Sequence, residues 1–600
     1  MMNQAFRRYN DASTRNYSDK RLLNTSANRN TWAPSSVFRY SVVSVHTSTR
    51  FFLITLISYQ PTHLIMKTTA LAALVSLTTA EYIWPDKYDQ IEDVFTLQGG
   101  FNKKGFIDPI QSCGFGQNQP GRQNTAEWVR TAYHDMSTAD VDAGTGGLDA
   151  SIMFETERGE NKGDAMNNTL AHFQNYYTSR TTAADMLALA VVGSMAVCNG
   201  YEIPFRVGRV DATEAGRKGV PEPQQDLSSH IASFAKQGFS QSEMIELVAC
   251  GHSLGGVHAS NFPELTSQTV QHFEQSDSFE KFDNAVVTEF LDTNTTNPLV
   301  VAANDTMNSD KRIFASDGNK TMHALADATH FQERCQDVLA RMIDTVPKDV
   351  VLSEPINPID VKPYINLLAL NHNGTIDFSG YIRVRYGKGT DRPDVNDIAV
   401  HLSYKNRAGN AVNETIQTTR PVWSDGIGSG FNGANFVYFE WTAEIDADAG
   451  ISGFNAFVTT KSTGDVVEHD NGGNGFPVQD TVLYQLEQSC SSYSAAEGGK
   501  LNIVAAVRTD AVSGTKLDLH FSKKVPRQGV IIPGLETQIE SFKESEKTLS
   551  GYRFFDIQDM SINAASLSTD FDVVLSGGEK DVNVGFLESN GLINRDCVAL

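Results

Sequence analysis

The apolar pattern of this chain changes period near Val346-Pro347, and that change limits its possible folds more than any other feature. Upstream, apolar side chains recur at helical spacing. The runs Thr125 to His134, Ala183 to Cys198, Phe239 to Cys250 and Leu325 to Met342 each predict a helix. Ser240-x-x-Glu243 adds a capping box at the head of the third. Downstream, Tyr381 to Tyr386, Ile398 to Tyr404, Phe436 to Trp441, Leu501 to Val507 and Leu517 to Phe521 alternate apolar with polar over most of their length. Turn-forming clusters such as Asp470-Asn-Gly-Gly-Asn-Gly475 separate them. A helix buries a stripe and a strand buries every second side chain, so two periods require two kinds of core. The predicted fold class is therefore multi-domain, an all-α region followed by an all-β, sandwich-like C-terminal region. Pro355 to Pro363 is the expected linker, and two β modules are expected over 356–480 and 481–600.

The first 80 residues differ from the rest. They carry 9 Lys/Arg against 2 Asp/Glu, whereas the whole chain has a formal net charge of −23. Met66 to Ala80 (MKTTALAALVSLTTA) has the basic, apolar, small-residue order of a secretory signal peptide, too short in its apolar run to cross a bilayer. Met66 is the expected start of the translated protein, and 1–65 a doubtful extension. The acidic balance argues against a nucleic-acid partner. No other stretch is apolar for long enough to span a membrane. Export gives meaning to the six cysteines, Cys113, Cys198, Cys250, Cys335, Cys490 and Cys597, which can form up to three disulfides in 15 possible pairings. Asn-x-Thr acceptors at Asn167, Asn294, Asn304, Asn319, Asn373 and Asn413 predict a glycoprotein.

Three constellations carry chemistry. Arg130 and His134 lie at i and i+4, one helix face presenting a guanidinium beside an imidazole. That pair suits peroxide cleavage, the imidazole moving a proton between oxygens and the guanidinium stabilising developing charge. Asp135 with Gly147, Asp149 and Ser151 offers hard oxygen ligands of the kind Ca²⁺ takes. Gly251-His252-Ser253-Leu254-Gly255 reads two ways. It places an imidazole at a helix end for haem iron, and it matches the Gly-x-Ser-x-Gly nucleophile elbow of serine hydrolases. The elbow needs a strand before its serine, and a capped helix stands there instead.

The order of these pieces resembles the plant/fungal haem peroxidase superfamily. The collinear set is Arg130-x-x-Tyr133-His134-Asp135, Gly147-x-Asp149-x-Ser151, Ala184-Asp185-Met-Leu-Ala-Leu-Ala190, Gly208-Arg209-Val-Asp211 and Gly251-His252-Ser253-Leu254-Gly255. It is similar to the secreted fungal type, with some ascorbate/cytochrome c peroxidase-like features around His252 to His258. The resemblance implies a haem peroxidase domain over 81–350 that binds haem b. In it His252 is the iron ligand, His134 and Arg130 are the distal catalysts, Asn161 orients His134, and Asp317 accepts a hydrogen bond from His252. It further implies Ca²⁺ on Asp135, Gly147, Asp149 and Ser151, a second cation near Ser253, and a Cys113–Cys198 disulfide. Asp185 is expected to be structural. Tyr133 stands where the family has Phe or Trp, and Phe273 stands near the place of a proximal Trp.

The implied function is a secreted, extracellular, monomeric peroxidase. It would reduce H₂O₂ and oxidise small phenolic or aromatic one-electron donors through a ferryl intermediate. Two readings from other classes compete. One is a non-catalytic cell-wall or carbohydrate-binding protein that uses the β modules, with Trp423, Tyr438 and Trp441 as a sugar platform or, more simply, as core. The other is a serine hydrolase acting through Ser253.

Overall fold

A computed structural model describes residues 82–116, 121–275, 279–494, 496 and 498–598. The expected signal segment 66–80 and the extension 1–65 lie outside the described residues.

Eleven α-helices are described, all of them before residue 345. They are α1 (Asp89–Thr96), α2 (Asn124–Met136), α3 (Ala165–Phe173), α4 (Ala183–Val197), α5 (Leu227–Lys236), α6 (Gln241–Gly251), α7 (Ala285–Leu291), α8 (Pro298–Val301), α9 (Ser309–Phe314), α10 (Lys320–Leu325) and α11 (Ala328–Asp344). The expected capping box forms: Ser240 Oγ accepts from Glu243 N while the Glu243 carboxylate accepts from Ser240 N. The single helix expected over 325–342 divides at Ala326-Asp327, where Asp327 accepts from His330 N and starts α11 afresh. α4 is buried along almost its whole length and runs through the centre of the helical core. Asp211 accepts hydrogen bonds from Ala183 N and Ala184 N at the head of α4, and Asp185 pairs with the buried Arg209 at 2.9 Å. The Gly208-Arg-Val-Asp211 segment thus clamps that helix.

After 360 the chain is built of antiparallel strands. Four strands of 361–445 and one from upstream form a five-stranded sheet, ordered Gly99–Gly100, Ile427–Ser429, Asn435–Ile445, Ile376–Tyr386, Val361–Leu370. A second sheet packs on it, ordered Asp465–His469, Gly453–Thr460, Ile398–Lys405, Ala411–Gln417. Strands of 482–588 form two more sheets around a separate core. Pro363 lies inside a strand, so the expected linker ends sooner. That strand is at a sheet edge, where a residue without an N–H is tolerated. Tyr438 and Trp441 are buried in the cores, so they form no sugar platform, while Trp423 is 63 % exposed.

The two halves are joined through buried contacts. The strand Gly99–Gly100 comes from the helical half and completes the first sheet. The hairpin of Lys516–Arg527 and Val530–Ser541 inserts Ile532 into the helical core. At the foot of α1, Lys362 Nζ donates to Glu92 Oε2 (2.9 Å) and Asp93 Oδ1 (3.0 Å). Arg383 donates to Glu92 Oε1 (2.6 Å) and Asp93 Oδ1 (3.0 Å). Burial alone would raise the Glu92 carboxyl, but Arg383 and Lys362 outweigh it and hold it down at about 2. Three disulfides close the chain: Cys113–Cys198, the pair expected from the resemblance, with Cys250–Cys335 and Cys490–Cys597. Among the described residues no helix is long and apolar enough to cross a membrane.

Candidate active site

α2 and α6 bring the two principal histidines to one cavity of about 310 Å³. Arg130, Tyr133 and His134 line it from successive turns of α2, and His252 lines it from the end of α6. Gln123, at the N-cap of α2, accepts from Gly255 N (2.8 Å) and ties that helix to the loop after His252.

His134 Nδ1 lies 2.8 Å from Asn161 Oδ1. Asn161 is fully buried and its Nδ2 donates to Glu155 O at 3.0 Å. The amide is thereby oriented with its oxygen toward the imidazole, so Nδ1 carries the proton and Nε2 the lone pair. Burial, with Arg130 adding to it and Asn161 opposing, lowers the His134 pKa to about 3. The ring is neutral near pH 7, as a proton acceptor must be. Burial lowers the Arg130 guanidinium to about 10, which leaves it charged, and its Nη2 donates to Lys162 O (2.9 Å). Tyr133 stacks on Phe234 with centroids 6.0 Å apart, and burial raises its phenol above the ordinary value.

The partner of His252 differs from the expectation. His252 Nδ1 donates to Asp310 Oδ2 at 2.7 Å, with Asp310 1 % exposed. Asp317 instead accepts from Thr321 N (3.0 Å) and Thr321 Oγ1 (2.6 Å), closing the turn into α10. Ser309-Asp310 and Ser316-Asp317 are the same dipeptide seven residues apart. Only the helical fold shows which carboxylate faces the imidazole. Phe273 stacks on His252 with centroids 4.3 Å apart and planes at 18°. A short hairpin, Gly256–His258 with Val270–His272, returns the chain to that position; no strand is expected there from the local pattern.

The donor set fits haem. His252 Nδ1 is held by a carboxylate, its Nε2 makes no hydrogen bond among the described residues, and Leu247, Val248, Leu254, Leu265 and Ile313 supply apolar walls. At the expected calcium ligands, backbone donors engage the carboxylate of Asp135. Asp135 Oδ2 accepts from Asp149 N (2.9 Å) and Ala150 N (2.8 Å), and Oδ1 accepts from Ile152 N (2.8 Å). Both oxygens face backbone N–H groups, so Asp135 closes the loop that holds Gly147, Asp149 and Ser151. Among the described residues no group of three or more His, Cys, Asp or Glu is placed to hold a metal. Ser253 Oγ is buried and donates to Cys250 O (2.9 Å), a bond to its own helix end rather than to the imidazole a nucleophile needs.

Comparison with known proteins agrees with this geometry. Residues 116–330 match the peroxidase family model. A "WSC domain-containing protein" of Arthroderma benhamiae is 36% identical over 512 residues, covering 84% of this chain and 67% of that protein. L-ascorbate peroxidase 5, peroxisomal, of Arabidopsis thaliana is 32% identical over 154 residues, 25% of this chain and 54% of the relative. A putative heme-binding peroxidase of Pyricularia oryzae is 31% identical over 140 residues, 22% of this chain and 46% of the relative. This chain therefore spans about half the length of the peroxidases it matches. It belongs to the plant/fungal peroxidase family through its helical half, and the antiparallel β region follows that domain.

Proposed function

We propose that this protein is an exported haem peroxidase that reduces H₂O₂ at the expense of small phenolic or aromatic one-electron donors. One observation carries the reading. Two imidazoles line a single cavity, each fixed at Nδ1 by a buried side chain, Asn161 for His134 and Asp310 for His252. Each is left with Nε2 for chemistry.

In this reading His252 would hold the iron through Nε2, and the carboxylate behind it would strengthen the imidazole as a ligand. Bound haem would supply the redox-active centre that one-electron chemistry on peroxide requires. His134 takes a proton at Nε2 from one peroxide oxygen and returns it to the other. Arg130 stabilises the negative charge that grows as the O–O bond breaks. Asn161 keeps His134 in the tautomer this requires. Phe234, Phe262 and Phe273, which line the same cavity, support aromatic donors. The three disulfides support an extracellular location. The Arthroderma benhamiae relative matches 84% of this chain, so the match extends beyond the helical half into the β region.

The test is an absorption spectrum of the haemin-loaded chain before and after stoichiometric H₂O₂. A ferric Soret band that shifts with peroxide and returns with a phenolic donor is the expected result. Folded protein that takes up no haemin overturns the reading.

A further inference from the structure

We infer that Asn297 is a positioning residue that sets the strength of the bond between Asp310 and His252, and through it the reduction potential of bound haem. This rests on the assignment of His252 as the iron ligand.

Asn297 is fully buried, 45 residues beyond His252 in the chain. Its Oδ1 accepts from Leu299 N at 2.8 Å and caps α8. An amide whose oxygen is fixed by a backbone N–H must turn its nitrogen the other way. Asn297 Nδ2 accordingly donates to Asp310 Oδ2 at 2.8 Å. That is the same oxygen that accepts from His252 Nδ1 at 2.7 Å. Among the described residues the other carboxylate oxygen meets only a long contact, Ser309 Oγ at 3.3 Å. The aromatic neighbour Phe273 covers the His252 ring face and has no N–H to offer the carboxylate. Asn297 is therefore the second strong donor on the oxygen that holds the imidazole.

Two donors on one oxygen divide its negative charge between them. Asn297 thus limits how far Asp310 draws the Nδ1 proton and how anionic the imidazole becomes. An anionic ligand stabilises ferric over ferrous iron, so the amide holds the potential higher than Asp310 alone would.

Asn297→Ser tests this, because serine keeps an N-cap acceptor for α8 while removing the long amide donor. The measurement is the ferric/ferrous midpoint potential of the haemin-loaded full chain by spectroelectrochemistry. Asn297→Ser shifts the midpoint to a more negative value, and Asn297→Thr, a second capping residue, shifts it the same way. Asp310→Asn, which removes the carboxylate charge, shifts it to a more positive value. In the Asp310→Asn background Asn297→Ser produces no further shift, which a purely structural role for the amide would not give. A midpoint that is unchanged or raised in both Asn297 variants, with haem still held by His252, overturns the inference alone. Loss of haem uptake in the unsubstituted chain, or a ligation spectrum insensitive to His252→Ala, overturns the functional reading beneath it.

Discussion

Replacing Arg383 with methionine removes the guanidinium from the buried charge cluster between α1 and the first sheet. Arg383 is completely buried and donates to Glu92 Oε1 (2.6 Å), Asp93 Oδ1 (3.0 Å) and Tyr364 Oη (2.9 Å). The Glu92 carboxyl lies at about 2 in the fold against an ordinary 4.5. A displacement of that size corresponds to about 3 kcal/mol at neutral pH, in line with the roughly 3–5 kcal/mol lost when one partner of a buried ion pair is deleted. Lys362 remains, so the lower end of that range is expected. With an unfolding slope of about 3 kcal/mol/M, the urea midpoint falls by about 1 M at pH 7. The pH dependence follows from the sign of the shift. A carboxyl depressed in the folded state stabilises the fold above its unfolded pKa, and that contribution is lost as pH falls toward 2. The difference between the two proteins therefore shrinks between pH 4.5 and 2. Equal midpoints at pH 7, or a difference that persists undiminished at pH 2.5, would refute the electrostatic account of this joint.

Four further outcomes are expected. His134→Leu slows the reaction with peroxide by about 10²–10⁴ while haemin uptake is retained, and stopped-flow absorbance reads the rate. In the unsubstituted protein that rate stays level from pH 7 to about pH 4 and declines as His134 takes up a proton near 3; a decline centred near 6.5 would mean the ring is solvated rather than buried. Asp317→Asn leaves the ferric/ferrous potential in place while Asp310→Asn moves it, and the reverse result would return Asp317 to the iron site. Dialysis against EGTA leaves the thermal midpoint unchanged, whereas a drop restored by added Ca²⁺ would make Asp135 and Asp149 ligands after all.

The helices that carry the chemistry are legible in the sequence because helix formation is local. Arg130, Tyr133 and His134 share α2 by spacing alone, and the Ser240/Glu243 box marks the start of α6 without reference to anything distant. Alternation likewise exposes most of the strands after 360. Partners separated along the chain are harder to read. A one-dimensional pattern could not choose between Asp310 and Asp317, since both follow serine and both stand near the ends of short helices. Asn297 has no motif at all; its role arises because α8 and α9 bring it to the carboxylate behind His252. The hard-ligand composition around Asp135 suggested a cation, but the loop wraps its amides onto that carboxylate.

Local periodicity, caps and motif order by themselves determined the helical half, the β half and the family resemblance that singles out His134, Arg130, Asn161 and His252 as candidates. Tertiary structure alone decided which aspartate faces His252, how the remaining four cysteines pair, and that Gly99–Gly100 completes a sheet otherwise made after residue 360. The physical reason is range. Helix and strand preferences are set by neighbours a few residues apart, whereas a buried hydrogen bond, a disulfide or a shared core depends on where the whole chain places groups that lie far apart in sequence.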